Sequence, residues 1–356
     1  MGIKETVSNP YSKWLDASGP DSDVVISSRI RLARNIINHP FPHLLGGEDA
    51  DKVVYAVDSV LEHSPFKDAL GGMELSRMTE LSPTERQILV EKHLISPALL
   101  EQPEKKAVVL RDDEVVSIMV NEEDHLRIQC LLPGLQLKEC WDIANQVDDG
   151  LEQILDYAFC EEKGYLTSCP TNVGTGLRAS VMLHLPALVM TQQLSSVLTS
   201  LSKLGLTVRG LYGEGTQATG NLFQVSNQVT LGLTEEEIID NLLMVAAQLV
   251  SQERAARQAL YKEQRHHIED RVWRAYGLLR YARLITSSEA MSLFSDLRLG
   301  VDLRIIPGVP PGLITELIIM TRPAFLNRLN DKEINPHQRD IYRAKLIRER
   351  LQSLSK

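Results

Sequence analysis

The 356-residue chain has few features of a secreted or membrane protein. Its four cysteines include no CxxC pair, which argues against a zinc site or a disulfide framework and indicates reduced thiols. No run of about 18 apolar residues is present, and the N-terminal stretch MGIKETVSNPYSKW lacks the apolar core of a signal peptide. We therefore expect a cytoplasmic protein without a membrane partner.

The chain also lacks an excess of basic residues and the common phosphate-binding loops. Its net charge of −9 disfavours general binding to nucleic acids and other polyanions. The glycine-rich stretch CPTNVGTGLRAS, residues 169–180, matches neither GxxxxGK[ST] nor GxGxxG. A phosphate group near this stretch would need a different means of binding, and the stretch offers a cysteine, an asparagine and an arginine.

The order of the secondary-structure signals predicts an α+β fold. Between residues 20 and 232, short β-rich runs follow one another directly, as in a largely antiparallel sheet flanked by helices. Residues 180–204 have a helical pattern. From about residue 255 onward every segment is helical, so we expect one domain over residues 1–255 and an all-helical domain over residues 256–356.

Two of the predicted helices carry start signals. Thr234 and Glu237 have the spacing of a capping box at the beginning of a long helical stretch. Asn335 followed by Pro336 has the pattern of an N-cap and first turn before the last helix. These signals predict helix starts at residues 235 and 336.

Arginines recur beside small residues in four separate segments of the β-rich part. Arg29 and Arg31 are two positions apart, so both project from the same face of a strand. Planar guanidinium groups suit bidentate phosphate binding, and several arginines could together hold a triphosphate without a lysine loop. A solvated sheet edge with salt bridges is the alternative interpretation.

Two acidic segments accompany the arginines. NEEDHLR, residues 121–127, directly follows an apolar strand, and YGEGTQATGN, residues 212–221, places Glu214 in a glycine-rich loop. Solvated acidic loops are the simpler interpretation of each segment alone. Arginines and carboxylates together are typical of phosphoryl transfer to a basic acceptor.

Four segments, SSRIRLAR, NEEDHLRI, CPTNVGTGLRAS and RGLYGEGT, occur in an order that resembles the phosphagen (ATP:guanido) kinase family. Over roughly residues 20–255 the chain is similar to that family. The helical tail, and the lack of a separate N-terminal helical domain, resemble its bacterial protein arginine kinase branch. The resemblance implies an antiparallel sheet flanked by helices, with ATP as the phosphoryl donor and Mg²⁺ held through the ATP phosphates rather than by a protein metal site.

The resemblance also assigns site residues. It implies that Glu123 and Glu214 hold the acceptor guanidinium and that Cys169 is a reactive thiol beside it, with Gly174 and Gly176 letting the backbone approach phosphate. The expected ATP-binding residues are Ser27, Ser28, Arg29, Ile30, Arg31, His93, Arg127, Arg178, Ala179, Ser180, Val181, Met182, Arg209, Gly210, Leu211, Tyr212 and Gly213.

The last helix contains the string RDIYRA, which resembles a phosphoarginine-binding element of the arginine kinase branch. This assigns Arg339, Asp340, Arg343 and Ala344 to an allosteric phosphoarginine site. From the residues alone, an exposed amphipathic helix is the simpler interpretation, because Arg339 and Arg343 are like charges at i and i+4.

Taken together, the segments and the resemblance predict an ATP-dependent kinase that phosphorylates arginine side chains of proteins. The implied partners are protein substrates with exposed arginines, including a heat-shock repressor and substrates of a Clp ATPase, with a separate activator protein and a homodimer or larger assembly as further expectations. A kinase for free arginine, and a catalytically silent adaptor that binds phosphoarginine, are the two alternatives.

Overall fold

The computed structural model describes residues 2–62, 71–210, 218–330 and 332–354. Within these ranges, eight strands form one sheet in the order β2-β3-β4-β5-β1-β8-β10-β9, and every neighbouring pair is antiparallel. Two further short strands form a hairpin. The strands are β1 (Val25–Arg34), β2 (Met73–Arg77), β3 (Ala107–Arg111), β4 (Val116–Val120), β5 (Leu126–Pro133), β6 (Phe159–Cys160), β7 (Gly164–Tyr165), β8 (Leu177–His184), β9 (Leu206–Gly210) and β10 (Leu222–Asn227).

The described ranges also contain twelve α-helices. Seven of them belong to the part of the chain that builds the sheet, and the last five follow one another without a strand. The helices are α1 (Ile3–Ser8), α2 (Gly47–Leu61), α3 (Pro83–Glu91), α4 (Leu137–Glu152), α5 (Pro186–Met190), α6 (Leu194–Lys203), α7 (Glu235–Glu263), α8 (Arg265–Tyr281), α9 (Ser287–Asp302), α10 (Pro311–Met320), α11 (Pro323–Leu329) and α12 (Pro336–Ser353).

One face of the sheet is covered by α2, α4 and α7 and carries the main apolar core. Alternate residues of the central strands, such as Ile30, Ile128 and Val181, are fully buried in this core. Because side chains alternate between the two faces of a strand, the neighbouring residues project from the opposite face. The predicted α+β fold with a largely antiparallel sheet is therefore confirmed.

The predicted helix over residues 180–204 is wrong in its first part. Residues 180–184 belong to β8, and only α5 and α6 follow as helices. Strand β8 lies between β1 and β10 and most of its side chains are buried on both faces. An apolar run without alternation is typical of such a buried strand, but also of a buried helix, so the periodicity did not distinguish the two.

Four of the last five helices, α8, α9, α10 and α12, build a second core around Val272, Leu279, Phe294, Leu297 and Ile347. Helix α7 runs through residue 255 to Glu263, and α8 begins at Arg265. The expected domain boundary near residue 255 therefore lies inside a continuous helix, and it stays a prediction.

The helical region also packs back against the sheet region. Ile319, from α10, and Phe325, from α11, share a third apolar core with Leu89 of α3 and Leu131 of β5. This contact brings the loop between α10 and α11 close to the end of α3. It positions residues of the helical region next to the candidate site.

Both predicted helix starts are confirmed. The Thr234 side chain accepts a hydrogen bond from the Glu237 N–H, and the Glu237 carboxylate accepts one from the Thr234 N–H. The Asn335 side chain accepts from the Gln338 N–H. In the part of the chain that the structure describes, no helix has the length and hydropathy needed to cross a membrane.

Candidate active site

Strand register places the arginines of three strands on one face of the sheet. Arg31 of β1 lies directly opposite Arg178 of β8 and opposite Gln129 of β5. Arg29 and Arg127 are each two positions from residues of this row, so they project from the same face. Directly paired residues of antiparallel strands have neighbouring side chains. Four of the five predicted phosphate-binding arginines are thus gathered on neighbouring strands.

Arg209 of β9 lies on the same face, opposite Gln224 of β10. Gln224 connects it to the cluster, because its Oε1 accepts a hydrogen bond from Arg29 Nη2 at 2.8 Å. Arg29 Nε also donates to Ser180 Oγ at 3.3 Å. Arg29 is therefore held by neutral partners, and all five predicted arginines share the face that the main core leaves uncovered.

The crowding of these guanidinium groups is visible in their pKa values. Burial, together with the charges of Arg127 and Arg178, lowers the pKa of Arg29 to about 10. Burial and the same neighbours, with Arg29, hold the pKa of Arg31 well below its ordinary value, although Glu122 opposes this shift. Arg31 Nε is shielded from solvent and has no hydrogen-bond partner among the described residues. An anion between these groups would relieve their repulsion.

The contiguous runs expected to bind ATP divide between the two faces. Ser27 and Met182 lie on the arginine face and line a small recess with Trp14 and His93. The alternating residues of the same two strands project from the other face, and their side chains lie in or beside the main core. These residues are Ser28, Ile30, Ala179 and Val181. Ser28, for example, donates its hydroxyl to the Gly134 carbonyl.

His93 follows the end of α3 in a left-handed backbone conformation, with φ of 60°. Its ring stands edge-on to Trp14 at a centroid distance of 5.4 Å. Burial, together with the charges of Arg29 and Arg322, lowers the pKa of His93 to about 3. The imidazole at the border of the arginine cluster is therefore neutral at ordinary pH.

The NEEDHLR segment has one exposed and one paired glutamate. Glu123 is exposed, whereas Glu122 forms an ion pair with Arg127 at 2.6 Å and accepts a hydrogen bond from Ser96 Oγ. Burial acts to raise the pKa of Glu122, but the Arg127 charge and these hydrogen bonds outweigh it and hold the pKa below its ordinary range. The sequence interpretation missed Glu122, since two adjacent glutamates give no sign of which one is paired.

The other residues of this segment fix its position. Asp124 Oδ1 accepts hydrogen bonds from Asn35 Nδ2 and from the Ser168 N–H, both at 2.7 Å. His125 Nδ1 accepts from the Ile36 N–H at 3.0 Å. These contacts join the Glu123 loop to the residue that precedes Cys169.

Asn172 links the candidate carboxylate to the arginine cluster. Its Nδ2 donates to Glu123 Oε2 at 3.5 Å, and its Oδ1 accepts from Arg178 Nη2 at 3.4 Å. Cys169 is half-buried in the same loop, with its Sγ 3.0 Å from Thr171 Oγ1. The structure therefore places Glu123, Cys169 and Arg178 near one another.

The two glycines of the loop lie close to other segments of the backbone. Gly174 and Gly176 have φ of 108° and 65°, and a Cβ on them would come within 2.3 Å of the Thr230 carbonyl oxygen and 2.6 Å of the Ala33 carbonyl oxygen. They allow close approach to other backbone segments of the protein. The expected approach of this backbone to phosphate stays a prediction.

Several predicted residues cannot be placed. Gly210 ends β9, and the following predicted residues lie outside the described residues; these are Leu211, Tyr212, Gly213 and Glu214. The second guanidinium-holding carboxylate therefore stays a prediction.

The predicted tail site lies on α12, and its arginines are held by the protein itself. Arg343 is buried, and it donates to the carbonyls of Thr321 and Ile285 at 3.0 Å and to the carboxylate of Asp340. Arg339 Nη1 donates to the Ile334 carbonyl at 2.9 Å, and Ala344 is fully buried. The interpretation of this segment as an exposed amphipathic helix is therefore wrong at Arg343.

Known sequences are similar to this chain over almost its whole length. Residues 52–256 match the family model of the ATP:guanido phosphotransferase C-terminal catalytic domain, and residues 265–356 match that of the protein-arginine kinase McsB C-terminal domain. The protein-arginine kinase of Desulforamulus reducens is 76% identical over 355 residues, which cover 100% of this chain and 99% of that protein. This chain belongs to the protein-arginine kinase family.

Other members of the protein-arginine kinase family are similar over the same length. The Pelotomaculum thermopropionicum protein is 62% identical, and the match covers 99% of each chain. The Bacillus subtilis protein is 50% identical over 99% of this chain and 96% of its own length. Through its catalytic region, this member of the family is a guanido phosphotransferase.

Solved guanidino kinases share the fold of about 70% of this chain. A duplicated taurocyamine kinase from Schistosoma mansoni with bound transition state analog components has 25% identity and a TM-score of 0.58, over 70% of this chain and 35% of that one. Lombricine kinase has 23% identity and a TM-score of 0.58, over 72% of this chain and 76% of its own. The second similarity shows the fold alone.

Proposed function

We propose that this chain transfers the γ-phosphoryl group of ATP to the guanidino group of arginine side chains in proteins. The observation that carries the proposal is the sheet face where five arginines converge beside Glu123. Three of them, Arg29, Arg31 and Arg178, have no carboxylate partner among the described residues, which suits a polyanionic ligand.

The chain's own groups would bind and orient the nucleotide. Guanidinium groups of Arg29, Arg31, Arg127, Arg178 and Arg209 would contact the phosphates, and Ser27, Met182 and the neutral His93 ring would border the base end. Mg²⁺, held by the ATP phosphates, would neutralise part of their charge. The ion pair of Arg127 with Glu122 would loosen as Arg127 turns to phosphate.

Glu123 would hold the acceptor and take its proton as the new bond forms. A free guanidinium has a pKa of about 12.5 and an ordinary glutamate about 4.3, so complete proton transfer before reaction would cost about 11 kcal/mol. That cost is avoided if the proton moves to Glu123 while the N–P bond forms and the bond from the γ-phosphorus to the bridging oxygen breaks, which releases ADP. The predicted role of Glu214 as the second carboxylate is part of the same proposal.

An acceptor carried by a protein is supported by the space beside Glu123. A cavity of about 340 Å³ adjoins this carboxylate and is bordered by the segments 42–45 and 101–106. Glu101, Gln102 and Glu123 are exposed at its rim. An arginine side chain displayed on a polypeptide could reach Glu123 here while its own backbone stays outside.

The remaining expectations are proposals that rest on the family resemblance. Arg339, Asp340, Arg343 and Ala344 would form an allosteric phosphoarginine site, and Cys169 would act as a reactive thiol. A heat-shock repressor, a Clp ATPase, an activator protein, a homodimer or larger assembly and a cytoplasmic location are further parts of this proposal.

The purified protein would be incubated with Mg·ATP and a loosely structured arginine-rich protein, and with free arginine in parallel. Acid-labile phosphate on protein arginines, found by mass spectrometry without acid treatment, is the expected result. Preference for free arginine would indicate a metabolite kinase. No transfer to either acceptor, even with Mg·ATP bound, would indicate the phosphoarginine-binding adaptor.

A further inference from the structure

A second and larger cavity adjoins the arginine cluster and reaches the helical region. It has a volume of about 490 Å³ and is lined from the sheet by Arg29 and Arg31, from the end of α3 by Glu91 and His93, and from the start of α11 by Arg322. Arg29 and His93 also line the small recess beside Ser27. The cavity and the recess are therefore adjacent, with two lining residues in common.

The cavity is strongly basic. Three guanidinium groups line it, from Arg29, Arg31 and Arg322, and Arg31 Nε is shielded from water with no hydrogen-bond partner among the described residues. Guanidinium groups that line one space attract an anion into it. The shape and charge of the cavity suit a phosphate-bearing ligand.

The one carboxylate among the described lining residues is already engaged with the backbone. The Glu91 oxygens accept hydrogen bonds from the Ala324 N–H at 3.1 Å and from the Phe325 N–H at 3.4 Å. These bonds attach the first turn of α11 to the end of α3. They hold the backbone next to Arg322 at a fixed distance from β1.

The other side of the same backbone segment is also fixed. The Thr321 carbonyl accepts from Arg343 Nε at 3.0 Å, and Pro323 forms the first residue of α11. Arg322 thus stands between two anchored residues, and its charge lies close enough to lower the pKa of His93. The backbone position of Arg322 is therefore set by contacts with both regions.

We propose that Arg322 is a further nucleotide-binding residue, through which the helical region completes the ATP site. Its guanidinium would contact the phosphate groups of the nucleotide from the side opposite Arg29 and Arg31. The inference rests on the proposed function, because it requires that ATP binds at the arginine cluster. It adds a residue outside the catalytic-domain segment, with no counterpart among the four motifs.

The test is the affinity for Mg·ATP, measured by calorimetry on the full chain and on Arg322→Gln. Loss of a charged hydrogen bond to phosphate predicts a Kd increased about 10- to 100-fold. Arg322→Lys keeps the charge and should recover part of the affinity. Arg328→Gln is the matched control on the same helix, since Arg328 is exposed and donates only to Ser8 Oγ in the described structure.

Two further ligands identify what the residue recognises. Adenosine, which has no phosphate, should bind Arg322→Gln and the parent chain equally. Weaker binding of inorganic tripolyphosphate to Arg322→Gln without any change in Mg·ATP affinity would indicate a separate anion site and would overturn the proposal. Equal Mg·ATP affinity of Arg322→Gln and the parent would overturn it as well.

Phosphoryl transfer, which tests the proposed function, is measured separately from the Mg·ATP affinity, which tests the role of Arg322. Melting temperatures of all three variants show whether each is folded. If the parent binds Mg·ATP and Arg322→Gln binds it weakly, the inference stands even when no protein arginine is phosphorylated. If the parent chain phosphorylates protein arginines but Arg322→Gln binds Mg·ATP as tightly as the parent, the proposed function stands and the role of Arg322 is overturned.

Discussion

Two sets of buried or half-buried arginines in this chain differ in their partners. In the first set, Arg34, Arg257 and Arg298 each contact a carboxylate, from Asp148 at 2.6 Å, from Glu253 at 2.7 Å and from Asp302 at 3.0 Å respectively. In the second set, the described hydrogen-bond partners of Arg29 and Arg178 are neutral side chains, and Arg31 Nε is buried without a hydrogen-bond partner among the described residues.

This difference separates the arginines that stabilise the fold from those that are available to bind a ligand. A buried arginine with a carboxylate and carbonyl partners is satisfied by the protein and stabilises a junction between elements. Clustered arginines that have no ion pair of their own repel one another, and an incoming anion would relieve that repulsion. Arg31 and Arg34, three residues apart on β1, belong to opposite sets because they project from opposite faces.

The largest effect is expected from Arg34→Met. This change leaves Asp148 buried without its ion pair, and it also removes the donor to the Thr175 carbonyl and the guanidinium that lies 3.5 Å from the Tyr165 ring centroid. We expect a loss of about 3–5 kcal/mol in the free energy of unfolding, measured in denaturant. Adding Asp148→Leu should restore part of it; a single variant as stable as the parent would contradict the comparison.

Arg31→Gln should do the reverse. Removal of a repelled charge should leave the unfolding temperature equal or higher, while the rate of arginine phosphorylation falls about 10²- to 10³-fold. Steady-state kinetics and thermal unfolding on the same preparation check both halves. A large loss of stability with normal turnover would place Arg31 in the first set, whose arginines stabilise the fold.

Glu123→Gln tests the carboxylate that lies beside the second set of arginines. We expect phosphoryl transfer to fall about 10²-fold, with Mg·ATP affinity unchanged, because the group acts on the acceptor. Glu161→Gln, at an exposed position away from the cluster, is the control. Normal turnover of Glu123→Gln would remove this residue from the mechanism.

Glu91→Gln tests a carboxylate that lines a cavity together with Arg29 and Arg31 of the second set but accepts hydrogen bonds from backbone N–H groups. Burial raises the pKa of Glu91 to about 7, against the opposing effects of those bonds and of the Arg322 charge. Between pH 4.5 and 7 the folded state therefore keeps a proton that the unfolded state has lost, so Glu91 lowers stability as pH rises through this window. The variant should gain up to about 3 kcal/mol over the parent between pH 4.5 and pH 8; parallel stability curves would contradict this.

The smallest effect concerns the cysteine beside Arg178. We expect iodoacetamide to label Cys169 about tenfold faster than Cys160, and the buried Cys130 and Cys140 to react last. Arg178→Gln should reduce the advantage of Cys169, because a thiolate is favoured by a nearby positive charge. Equal labelling of Cys160 and Cys169 would show that exposure alone decides.

Much of the fold and part of the site were accessible to sequence interpretation. Alternation put Arg29 and Arg31 on one face, capping patterns marked the starts of α7 and α12, and motif order indicated the family. The strand at residues 177–184 was partly mistaken for a helix, since an apolar run buried on both faces has no period. Glu122 and the buried state of Arg343 also gave no local signal.

Local sequence therefore determined the periodicities, the helix starts and the residue types that phosphoryl transfer needs. Only the tertiary structure decided which of these residues meet. Arg31 faces Arg178, and Arg322 reaches the same cluster, because antiparallel pairing and apolar packing join segments that are far apart in the chain. The apolar face of the sheet supplies the free energy that holds these like charges together, and no short stretch of sequence contains that balance.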